Sequence, residues 1–167
     1  KAAATPKRGC ALTRYLLGPY FHFLISLQPL CLLHFLQHFL PPEESVSYGM
    51  RRGRMHQGVD VVKEVAGPFY SPYQQSVVRF AGSGVPYSGY GITVVLDEIN
   101  PSTGEKTGSS VLLGHLRRLG SGIKSGVRVQ GGRVLGFQGN TGRSRGEHLH
   151  FEEWVNGKRV APAVELI

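Results

Sequence analysis

The chain has 167 residues, 41% of them hydrophobic and 18% charged, which suits one domain with an apolar core and argues against a two-domain enzyme. A net charge of +8 favours anionic partners such as nucleic acid, acidic lipid or wall polymers without choosing among them. Twenty-three Gly and ten Pro argue against a helical bundle, and the two cysteines, Cys10 and Cys31, are too few for a disulfide framework or a multi-cysteine metal site.

In chain order, residues 1–47 contain only Gly9 and Gly18, so 21 of the 23 glycines lie beyond them. From Tyr15 to Leu40 no Asp, Glu, Lys or Arg occurs, a run long enough to span a bilayer, and Lys7, Arg8 and Arg14 precede it as the basic flank of a signal or anchor would. Pro19, Pro29, His22, His34, His38, Gln28 and Gln37 interrupt the run and raise the cost of placing it in hydrocarbon, so a packing helix or an extension competes with that reading. The expectation is a separate apolar, helical N-terminal segment over 1–40, with residues 15–40 as the candidate membrane anchor and 41–47, opened by Pro41 and Pro42, as a linker.

From residue 48 the pattern is that of strands. GVDVV, QSVVRFAG, GITVVLDE, SVLLGHL, GGRVLGFQG and HLHFEEWV are short β-branched or alternating runs punctuated by Gly, Pro, Ser and Asn. The polar stretch from Ile99 to Ser110 reads as a long hairpin loop, and GSGIKSGVRVQGG has the turn spacing of another hairpin. No segment here has a helical period, so residues 48–167 are expected to form one all-β domain.

Only four histidines fall in that domain: His56, His115, His148 and His150. HQGVD sets His56 and Asp60 four apart, and HLH sets His148 and His150 two apart. Both spacings are even, and because strand side chains alternate faces, each pair projects from one side, as ligands converging on one ion must. Imidazole and carboxylate suit zinc, three protein ligands leave a position open for water, and histidines outside the ligand set are then available to move protons and stabilise an oxyanion during amide hydrolysis. Each short motif alone arises often by chance. It is their joint occurrence in a domain with no other histidine that points to a site.

GRMHQGVD, LLGHL and GNTGRSRGEHLHFE, in this order, resemble the signature of the lysostaphin and LytM-type zinc metallopeptidases, which hydrolyse peptide bonds in bacterial peptidoglycan. The similarity runs from about Tyr48 to about Glu165 and takes in VVKEVAGPFYSP, GGRVLGFQGNTG and WVNGKRVAPAVEL. The resemblance implies an antiparallel sandwich or half-barrel of the LytM type, with one zinc ion held by His56, Asp60 and His150. It implies further that His115 and His148 are the catalytic pair, and that Gly139, Thr141, Gly142 and Gly146 form the turn presenting the last strand. Two departures stand out: Leu113 and Gly114 replace an aromatic residue and Ala, and Glu147 replaces Pro and adds a negative charge near the cleft.

The function expected from this resemblance is a monomeric zinc endopeptidase acting on peptidoglycan, located in the cell envelope or secreted to the periplasm or exterior. The competing reading is a catalytically silent module that binds and activates another wall hydrolase; members of that kind typically lose zinc ligands, whereas all five positions are filled here. A nucleic-acid partner is not expected, because only the charge and dispersed aromatics such as Tyr87, Tyr90 and Phe137 would support one.

Overall fold

The computed structural model describes residues 43–63, 66–163 and 167, with 43–46 as backbone alone. The expected N-terminal segment, including the candidate anchor over 15–40, lies outside the described residues. Among those described, no helix is long and apolar enough to cross a membrane.

The described chain is all-β, interrupted by a single turn of 3-10 helix at Ser88–Tyr90. Its largest sheet is antiparallel throughout and runs β1 (Glu43–Val46), β4 (Val59–Val62), β12 (Leu149–Val155), β8 (Lys106–Leu116), β7 (Ile92–Ile99), β6 (Gln75–Gly82) and β10 (Arg128–Gln130). β13 (Lys158–Val160) also pairs with β12. A second sheet orders β5 (Pro68–Tyr70), β11 (Val134–Phe137) and β9 (Arg118–Leu119), and β2 (Gly49–Arg51) forms a hairpin with β3 (Arg54–His56).

Hydrophobic alternation explains which face each strand buries. Val59 and Val61 of β4 and Leu149 and Phe151 of β12 enter one apolar cluster with Val78, Val94, Leu96, Val111 and Leu113 from the large sheet and with Phe69 and Leu135 from β5 and β11. The core therefore lies between the two sheets, as in a sandwich. In β7, Thr93 to Asp97 are all buried, which matches a central strand covered on both faces.

Two local expectations are revised. The polar loop after Ile99 is shorter than its composition indicates: β8 begins at Lys106, which pairs with Ile99 of β7, and the polar start of the strand, Lys106 and Thr107, stands exposed. The stretch around Arg128–Gln130 does not close a local hairpin but pairs with β6, about fifty residues earlier in the chain. Glu43–Val46, in the stretch read as a linker, pairs with β4.

Candidate active site

The β4–β12 register places His150 directly opposite Asp60. With Val59, Val61, Leu149 and Phe151 committed to the core, Asp60 and His150 must share the other face. His56 closes β3 three residues before β4 begins, and the connection passes tightly over β12. A Cβ on Gly58 would collide with the Phe151 carbonyl and come within 3.0 Å of the His150 ring, so the absence of a side chain there lets His56 approach.

His115 reaches the same place by a different device. Simple alternation from Leu113 would turn it into the core, but β8 carries one extra residue opposite β7 between the Val94–Leu113 and Ile92–Leu116 pairs. His115 takes up that bulge with φ +61°, a left-handed conformation costing a non-glycine residue about 1–3 kcal/mol, and its ring is thereby redirected. Thr141 braces the bulge. Its hydroxyl donates to the Leu116 carbonyl at 2.7 Å and accepts from the Ile92 N–H at 2.9 Å, while its carbonyl accepts from His115 Nδ1 at 2.7 Å. Gly142, with φ +72°, lies flat against the Gly91 backbone where no Cβ would fit. After this turn, the His148 N–H donates to the Gly139 carbonyl as the chain enters β12.

All five residues singled out in the sequence come together. Asp60 Oδ1 lies 3.2 Å from His56 Nε2, 2.9 Å from His150 Nδ1 and 3.6 Å from His148 Nε2. The His115 ring sits 4.9 Å from that of His148 and 5.9 Å from that of His150, centroid to centroid. Facing side chains and backbone carbonyls fix the tautomers: Nδ1–H of His56 donates to Ser47 O, that of His115 to Thr141 O and that of His148 to Gly146 O, which leaves Nε2 of each ring as its basic nitrogen.

The electrostatics follow from this crowding. Burial opposes ionisation of Asp60, but the His150 hydrogen bond and the charges of His56, His150 and His148 outweigh it and hold the carboxyl below its ordinary value. Burial likewise opposes protonation of His150, yet hydrogen bonds to Asp60 and Glu152 raise its pKa. His115 is pushed down, chiefly by burial and further by His148 and His150, against the pull of the Thr141 carbonyl, so it favours the neutral imidazole.

His56, Asp60 and His150 offer ligand atoms that all lie within 4.8 Å of one another. Ligands around a tetrahedral zinc are about 3.4 Å apart, close to the distances from Asp60 to both rings, so two imidazoles and a carboxylate converging here have the donor types and spacing the ion takes. A cavity of about 370 Å³ opens over these groups, bordered also by Tyr90, His115 and Arg143.

Two residues behind the histidines were not anticipated. Glu152, fully buried, accepts from His150 Nε2 at 3.2 Å, Tyr90 Oη at 2.6 Å, Trp154 Nε1 at 2.7 Å and Arg159 Nε at 2.7 Å. Burial would raise its pKa, but these four donors bring it down to about 2. Continuing the even spacing of His148 and His150 by one step reaches Glu152. Tyr90, by contrast, sits in the irregular 3-10 turn, where no periodicity marks it, and its ring lies 5.4 Å from that of His150.

Comparison with known proteins places these elements in context. The sequence pattern of peptidase family M23 matches residues 54–162. The chain is 36% identical over 112 residues to the DD-carboxypeptidase/endopeptidase Mpg of Neisseria meningitidis serogroup B, covering 65% of this chain and 22% of that protein. It is 28% identical over 110 residues to the peptidoglycan DD-endopeptidase ShyA of Vibrio cholerae, covering 66% of this chain and 23% of that protein. The chain thus spans under a quarter of the length of these curated relatives. Among solved structures, the catalytic domain of the antimicrobial peptidase lysostaphin from Staphylococcus simulans superposes with a TM-score of 0.59 at 26% identity, over 72% of this chain and 89% of that one.

Proposed function

The chain belongs to peptidase family M23, and from that premise we propose that it is a zinc-dependent endopeptidase hydrolysing peptide bonds of bacterial peptidoglycan, acting in the envelope or outside the cell. The relatives named for peptidoglycan DD-endopeptidase and DD-carboxypeptidase/endopeptidase activity support the substrate class. The observation that carries the chemistry is the convergence of His56 Nε2, His150 Nδ1 and Asp60 Oδ1 beside two further imidazoles.

In this reading His56, Asp60 and His150 hold the ion. Zinc bound there supplies Lewis acidity, which polarises the scissile carbonyl and acidifies water. His115 and His148 do the proton chemistry. Each donates Nδ1–H to a backbone carbonyl, so each presents Nε2 as the nitrogen that takes a proton from the attacking water or stabilises charge on the carbonyl oxygen. Burial lowers the His115 pKa and so favours its neutral, proton-accepting form. Glu152 accepts from the far nitrogen of His150 and so aims Nδ1 at the ion. The silent-module reading finds no observation in its favour.

The test is zinc content together with peptide release from purified peptidoglycan, for the chain and for His115→Ala and Asp60→Ala. His115→Ala should keep stoichiometric zinc and lose about 100-fold or more in turnover. Asp60→Ala should lose the zinc. Near-normal turnover in His115→Ala would remove its catalytic role, and unchanged zinc affinity in Asp60→Ala would contradict the ligand set.

A further inference from the structure

A second and larger cavity, about 740 Å³, adjoins the histidine cluster and shares Asp60 with the first. Five arginines line it: Arg51, Arg52 and Arg54 from the β2–β3 hairpin, and Arg143 and Arg145 from the segment leading into β12. Residues 48–167 carry fifteen Lys and Arg, so one third of the basic groups stand on this one wall. The acids there are Asp60, held among the three imidazoles, and Glu147. All five arginines are exposed, and among the described residues none of them is in an ion pair.

Two of these arginines are held against their own electrostatics. Arg51 and Arg54 are direct cross-strand partners, an arrangement that like charges disfavour. The two-residue turn between them, Arg52 at φ +48° and Gly53 at φ +76°, has both central residues left-handed, as tight hairpin turns require, and fixes the pair in place. Arg143, whose backbone N–H donates to the Gly89 carbonyl at 2.9 Å, borders both cavities and links the basic wall to the histidines. Planar guanidinium forks match carboxylates in two-bond geometry, and an anion between Arg51 and Arg54 relieves their repulsion.

We propose that this cavity is a subsite for a carboxylate carried by the substrate peptide close to the bond that is cut, with Arg51, Arg54 and Arg145 as its recognition groups. The proposal rests on the peptidase reading for the identity of the ligand, and its test separates the two. Binding to insoluble peptidoglycan is measured by sedimentation before and after carbodiimide amidation of the polymer's carboxylates, in the His115→Ala background so that the polymer stays intact. Amidation should weaken binding about tenfold or more, and Arg51→Gln/Arg145→Gln should bind native and amidated polymer alike, at the weaker level. Arg128→Gln/Arg133→Gln, which removes equal charge from residues lining a different cavity, should keep the discrimination.

The subsite is overturned if amidation leaves binding unchanged, which would point to phosphate or uncharged contacts, or if the distant pair abolishes the discrimination as fully as the cleft pair. Peptide release by the chain with active His115 is read in parallel. Carboxylate-dependent binding without any release would sink the peptidase reading and leave the subsite standing; release with no dependence on amidation would do the reverse.

Discussion

Glu152 sits on the cleft-facing row of β12 with no exposed surface and yet remains ionised, because four donors surround its two oxygens. A buried carboxylate with this many partners positions its neighbours as much as it stabilises the fold. Glu152→Gln should weaken zinc affinity about 10–100-fold, as removal of a carboxylate behind a histidine ligand does, and competition with a chromogenic chelator would read it. The same residue sets an acid limit on stability. Its folded pKa of about 2 lies below the ordinary 4.5, so its contribution is complete above pH 4.5 and is lost as the pH falls from there towards 2. Thermal melts in excess chelator should therefore show a Tm that drops through this window, with a flatter profile in Glu152→Gln. An equally steep profile in the variant would assign the acid sensitivity elsewhere.

At the scale of elements, two strands deliver their cleft residues by regular alternation and a third by breaking it. Asp60 and His150 were legible because β4 and β12 keep period 2, with valine, leucine and phenylalanine marking the core face. Alternation fails for His115: from Leu113 it predicts an imidazole pointing into the apolar core, and only the bulge, which depends on the register of β7 against β8, turns the ring to the histidine cluster. A register between strands is a tertiary property, and no local pattern in LLGHL states it. The support for the bulge is equally remote, since Thr141 lies 26 residues from His115. Thr141→Val keeps the shape of that side chain but strips partners from the Leu116 carbonyl and the Ile92 N–H. It should cost about 1–3 kcal/mol in denaturant unfolding and lower kcat while leaving zinc content unchanged. A variant with full stability and full kcat would show that the bulge holds without its brace.

For the molecule as a whole, the all-β class, the long strands and the four-residue β4 and β11 were readable from glycine-punctuated β-branched runs, whereas most strands of two or three residues were not, because so few positions carry no period. The apolar cluster is built from residues 48–167, and Pro41–Ile167 form one compact unit. A fragment of residues 41–167 should accordingly unfold in one cooperative transition and bind zinc with the affinity of the full chain, as calorimetry and chelator competition would show. A fragment without a transition would make residues 1–40 part of the folding unit.

The pairing of His150 with Asp60 across β4 and β12 joins residues 90 apart in the chain. A slip of one position between those strands would present Leu149 or Phe151 where the imidazole belongs and would dissolve the ligand set at a stroke. If the ion binds as proposed, only one alignment of the sheet captures it, and every misaligned form forfeits the binding free energy. On the proposed ligand set, zinc supplied during refolding would thus act as an inspector of alignment, favouring the correctly threaded chain over its near misses before any substrate is present.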